Sequence, residues 1–193
     1  MSNWVVSEFK EKILKGQVVP ADLKVIIENQ CCLDVLEEQL EFELIKHGRV
    51  EEEIAHAYLS EEERKNIDIK ANIFAINKVF EYITFFAEAE NGMLLGYWHG
   101  EENLNILEAP LVGYDTEGQF KLFDGNQIIE SLAMEWTGED EDEYEEIQDS
   151  FIECNIQVGS LDSVSKIKTK SNPSDMYNKL FFSKKEELKS EQK

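Results

Sequence analysis

The chain has 193 residues, 42% of them hydrophobic, and its 19 Lys and Arg against 41 Asp and Glu give a net charge of −22. That length is one ordinary domain, or one domain with a tail, and it can bury about 70% of its unfolded surface without disulfides or metals. The eleven Phe supply a packed core, which argues against global disorder, and the charge excludes nonspecific nucleic-acid or anionic-membrane binding as the main activity, since both need a positive face.

In chain order, residues 4–15 read as a short helix with Trp4, Val5, Phe9, Ile13 and Leu14 roughly on one side, stopped at Gly16. Pro20 opens the next segment, where the spacing of Leu33, Leu36, Leu40 and Leu44 predicts one helix over 23–47, with Gly48 as its stop. Ser60-Glu61-Glu62-Glu63 is a capping-box signature for a short turn or helix. Ile69, Ile73, Ile76, Phe80 and Ile83 form the strongest helical periodicity. Two heptads are too few for a coiled coil, so this face needs another surface, most simply a sheet.

After Asn91-Gly92 the pattern becomes extended. Residues 93–98 and 109–114 read as strands, Asp115-Thr116-Glu117-Gly118 as a hairpin turn, and 119–123 as the returning strand. Helical spacing resumes over 126–136 through Ile128, Ile129, Leu132, Ala133 and Trp136. Residues 139–146, EDEDEYEE, hold seven acids in eight positions, as a solvated loop, a helix end or a docking patch for a basic protein. From Lys166 onward eight Lys face four acids, so this stretch carries +4 and the remainder −26. The expected organisation is a single domain over 1–165, with helices to 85, a sheet core over 86–136 and an acidic segment over 137–150. A basic, partly mobile tail over 166–193 follows, because SKKEELKSEQK has no apolar pattern.

The residue types argue against catalysis. There is no phosphate loop, no GxGxxG and no GxSxG elbow. His47, His56 and His99 are scattered, and an EF-hand loop starting at Asp140 would place Glu145 and Phe151 where Gly and Glu belong. No metal or cofactor is expected. Cys31, Cys32 and Cys154 are an odd set without a CxxC pair, and adjacent Cys31 and Cys32 are read as buried small hydrophobes in an intracellular, cytoplasmic chain. No window approaches 18 apolar residues, and the N-terminus lacks an ordinary signal-peptide pattern.

Residues 85–92 (FFAEAENG), Leu95-Gly96-Tyr97-Trp98, Ala109-Pro110-Leu111-Val112 and Asp115-Thr116-Glu117-Gly118-Gln119 resemble bacterial members of the SUKH superfamily. That superfamily includes fungal cell-wall assembly regulators and many bacterial immunity proteins for polymorphic toxins. The likeness covers about 50 residues well, and a helix at Ile128 to Ala133 follows in the family's order. It implies an α+β fold with a central, mostly antiparallel sheet flanked by helices, and a non-enzymatic role: binding a toxin domain and blocking its active site or substrate path.

Together with the charge, this points to a basic toxin as cognate partner, with no direct nucleic-acid or membrane contact. The candidate contact residues are Tyr97, Trp98, His99, Glu101 and Glu102 at the strand end, and Glu139, Asp140, Glu141, Asp142, Glu143, Glu145 and Glu146 in the acidic run. A strand edge near Trp98 could also pair with a second copy of the chain. A regulatory scaffold without a toxin, and an enzyme with an unrecognised site, are the competing readings.

Overall fold

The computed structural model describes residues 4–45, 59–125, 127–138, 140–164 and 171–191. Within them, seven helices and five strands form an α+β fold, with helices on both faces of one antiparallel sheet. The expectations for His47, His56, Gly48 and Glu139 lie outside the described residues.

The first three helices are α1 (Val6–Lys12), α2 (Ala21–Glu28) and α3 (Gln30–Gln39). The single helix expected over 23–47 is therefore two helices and a strand. Asn29 is the cause: its backbone is extended, and its side chain caps α3 by accepting from the Cys32 amide, the local bonding that makes Asn a helix starter rather than a helix interior residue. Leu33, Leu36 and Leu40 remain on one buried stripe, but Glu41 turns left-handed and Leu44 lies in β1 (Phe42–Leu44).

The capping box forms as read, with Ser60 and Glu63 each bonding the other's backbone amide at 3.3 and 2.8 Å, before a 3-10 turn at Glu63–Lys65. The strong periodicity becomes α4 (Ile67–Phe80), capped by Asn66. Its last predicted member, Ile83, instead opens β2 (Ile83–Ala89).

Three more strands, β3 (Leu94–Trp98), β4 (Leu111–Tyr114) and β5 (Phe120–Leu122), complete a sheet of order β1-β2-β3-β4-β5 with every pair antiparallel. The β4–β5 turn is fixed by Asp115, whose Oδ1 accepts from the amides of Glu117 and Gln119, while Gly118 takes the positive φ of 82°. Gly96 is required by close packing: a Cβ there would lie 2.5 Å from Ile83 Cγ2 and 3.0 Å from the Thr84 carbonyl. With β2 on one side and β4 on the other, β3 has no free edge. A homodimer through an edge near Trp98 is thereby ruled out, because the backbone groups it would use are already paired.

One sheet face is covered by α4, whose Phe80 meets Phe85, Tyr114 and Phe120 edge-on at 5.0, 4.9 and 6.0 Å. Against it, and also touching β5, lies α7 (Pro173–Glu191), whose Ser174 hydroxyl donates to the Phe120 carbonyl at 2.8 Å. This helix takes in residues 183–191, most of the stretch expected to be mobile. It docks through Tyr177, which donates to Asn72 Oδ1 at 2.6 Å, and through an ion pair between Lys185 and Asp68. Its anchors, Met176, Tyr177 and Leu180, precede the apolar-poor end that suggested a tail.

The other face carries α5 (Ile128–Thr137) and α6 (Glu141–Glu153). Trp136 of α5 packs edge-on against Phe42, and Lys121 of β5 pairs with Glu135. Asp22 of α2 ties the layer together by accepting from the first amide of α5, Ile128. A disulfide joins Cys31 to Cys154 across 123 residues, pinning the start of α3 to the end of α6. This corrects the reading of Cys31 as a buried small hydrophobe, and removes the cysteine argument for an intracellular chain, since disulfides persist mainly where thiol reductants are scarce. Adjacent side chains point apart on a helix, so only Cys31 reaches Cys154. Cys32 stays a buried free thiol, its pKa pushed up to about 12 by burial. Among the described residues, no helix is long and apolar enough to cross a membrane.

Candidate functional site

The candidate contact residues divide into two groups that the fold keeps apart. Those of β3 lie in the middle of the sheet, whereas α6 packs on α5 and α3.

The first group is sealed. Trp98 is 0% exposed, and its indole Nε1 donates to the carbonyl and hydroxyl oxygens of Ser171 at 3.2 Å. Tyr97 is 4% exposed and stacks on Phe86 at 4.8 Å. Buried His99 is held at both nitrogens. Nδ1 lies 2.8 Å from the Leu104 carbonyl, which can only accept, so Nδ1 carries a proton. Nε2 lies 2.8 Å from the Thr84 hydroxyl, which in turn accepts from Gln17 at 3.1 Å. The ring therefore ends a chain of bonds running from Gln17 through Thr84, with both of its nitrogens engaged. The expectation of exposed aromatic anchors and a rim histidine at this strand end is overturned, because β3 is an interior strand whose both faces are covered. Only Glu101 and Glu102 project into solvent from the following turn, with Glu102 accepting from Ser171 at 2.9 Å.

The second group is open. Gly138, with φ of 60°, ends α5, and Asp140 starts α6 by accepting from the Glu143 amide at 3.1 Å. Tyr144, Ile147, Gln148 and Phe151 step by three, one and three and turn inward. Tyr144 donates to the Gly159 carbonyl at 3.0 Å, and Gln148 to the Val158 carbonyl at 2.7 Å. Burial and then the nearby Glu130 carboxylate push the Tyr144 phenol up to about 12.

The acids left over on the outer side include Glu141, Asp142, Glu143, Glu145 and Glu146, and all five are exposed. Negative charge suits the first turn of a helix, where the backbone amides point outward. That explains why a run of like charges begins a helix instead of breaking one. None of these carboxylates makes an ion pair among the described residues. Beside them a groove of about 700 Å³ is lined by Gln39, Trp136, Glu143, Glu146, Asp149 and Ser150. Across it the Gln39 amide donates to the Ser150 hydroxyl at 2.7 Å.

Trp136 is a site residue that the sequence did not single out. Its helical spacing marked it as core, and nothing local shows that it ends half-buried beside an acidic wall. No group of His, Cys, Asp and Glu is placed to hold a metal among the described residues.

No family model, no curated protein and no solved structure matches this chain.

Proposed function

We propose that the protein is a non-catalytic binding module of the immunity type, which neutralises a basic bacterial toxin domain by docking it on the exposed face of α6. The observation that carries this reading is the row of carboxylates on α6, without ion-pair partners among the described residues, running beside a groove that contains Trp136. A half-buried Trp flanked by acids suits a partner surface rich in Lys and Arg, because the indole offers area and a cation–π face while the acids attract the charge. The SUKH-like motifs and the acidic total of −22 agree with it. Many toxin domains act on nucleic acid and are basic, so an acidic helix face occupies the path of the phosphate backbone.

The test is co-expression with a basic toxin domain from the same genome, followed by rescue of growth and stopped-flow binding. Wild type is expected to rescue, with an association rate that falls at least about tenfold as salt rises, as steered encounters do. Rescue that survives Glu143→Lys with Glu146→Lys, or a flat salt response, would refute docking on α6.

A further inference from the structure

A second concavity, away from the α6 face, has a different chemistry. It is a cleft of about 1010 Å³ between α2, the start of α5 and the 104–110 connection that leads into β4. That is the size of a site for a small organic ligand. Its walls are mainly apolar, including Pro20, Val25, Leu104, Ile106, Ile128 and Ile156. Val25 and Leu107 stand at 42% and 60% exposure, large aliphatic surface that the fold itself leaves uncovered.

The walls are fixed before any ligand arrives. On one side Asp22 bonds the Leu23 and Ile128 amides at 2.8 Å, locking α2 to α5. On the other, Asn155 and Ile156 directly follow Cys154, held by its disulfide and by the Asn29 amide donating to the Cys154 carbonyl at 3.0 Å.

Two features define what would fit. Tyr97 lines the cleft, and its buried hydroxyl has no hydrogen-bond partner among the described residues. An unmade bond on a buried donor is costly and rare. Burial and then the Asp22 carboxylate push its pKa well up, so the phenol stays protonated and lacks an acceptor. An acceptor carried by a body that packs into the apolar walls would supply the missing bond. The charged residues lining the cleft are Asp22 and Glu108, both acidic. They repel an anionic acceptor, and a cation supplies no acceptor. A neutral carbonyl or amide remains.

We propose that this cleft binds a neutral, largely apolar small molecule carrying one carbonyl- or amide-type acceptor, which pairs with the Tyr97 hydroxyl. The proposal does not depend on α6 docking a protein, and either can fail alone.

Three probes sharing one apolar body test it: phenylbutanamide, phenylbutanoate and phenylbutylamine, each titrated into the isotope-labelled full chain and followed by NMR. The amide is expected to shift the resonances of Val25, Ile106 and Ile128 saturably, with the carboxylate and the amine at least about fivefold weaker. Tyr97→Phe keeps the ring stack and removes one hydrogen bond, so it weakens the amide about five- to tenfold and brings the three probes closer together. Leu107→Asp, at an exposed rim position that leaves the fold intact, weakens the amide as well. The proposal is overturned if the carboxylate or the amine binds as tightly as the amide. It is equally overturned if Tyr97→Phe leaves the amide affinity unchanged, or if no probe saturates at these residues.

Discussion

The end of β3 and the start of α6 look alike as candidate interfaces, one through its aromatics and the other through its acids, yet they are physical opposites. At the β3 end, Trp98 and His99 are enclosed and every ring nitrogen of the two has a bonding partner. On α6, the outer carboxylates have solvent on their open side and no ion pair among the described residues. The difference teaches that residue type marks a candidate surface only when the element carrying it is peripheral. An aromatic on an interior strand is committed to the core, whereas a charge on the outer face of a helix keeps a side open to a partner.

Substitutions on the two sides can break that comparison. The largest effect is expected from Trp98→Ala, which empties a fully enclosed indole site and should cost about 3–5 kcal/mol in denaturant unfolding. A loss below about 1 kcal/mol would mean that the strand end is not sealed. Next is Cys31→Ser, which opens a loop of 123 residues and should cost roughly 2–5 kcal/mol. Thiol titration of the unfolded, unreduced chain should count one free thiol in wild type and two in this variant.

Thr84→Val should cost about 1–3 kcal/mol, because it strands both the His99 ring nitrogen and the Gln17 amide without a partner. Smaller at neutral pH is the contribution of Tyr144, which sharpens the contrast between the two sides of α6. Its folded pKa is raised to about 12 against an ordinary value of about 10, so the folded state favours the neutral phenol. That stabilisation is complete below pH of about 10 and is lost as pH rises from there through about 12. Tyr144→Phe should flatten the alkaline limb of the stability profile in that window. Buried Cys32, together with Tyr97 and Tyr177, is raised in the same sense and accounts for the slope that remains.

The smallest effect on folding should come from neutralising the outer face in one combined variant, Glu141→Gln with Glu143→Gln, Glu145→Gln and Glu146→Gln. Stability should stay within about 0.5 kcal/mol of wild type, since these side chains touch little, while the salt dependence of partner association falls sharply.

Much of the fold was legible locally. The capping box at Ser60, the Asp115–Gly118 turn and the helix at Ile128 depend on neighbours within a few residues, and each forms within a residue or two of its expected place. The misreadings have different causes. Asn29 interrupts a leucine stripe that continues beyond it, Ile83 ends a helical period by entering a strand, and α7 is held by Asn72 and Asp68, about a hundred residues away.

The sequence by itself determined the strands, turn and helix of residues 93–137, the acidic run and the absence of familiar catalytic motifs, because propensity, period and charge are written in adjacent residues. Only the tertiary structure decided that β3 is an interior strand and that Cys31 meets Cys154. It also brought Trp136 beside the acids of α6, and left the Tyr97 hydroxyl buried without a partner among the described residues. Those facts depend on which distant surfaces share a layer. Long-range packing fixes that, and no local pattern encodes it.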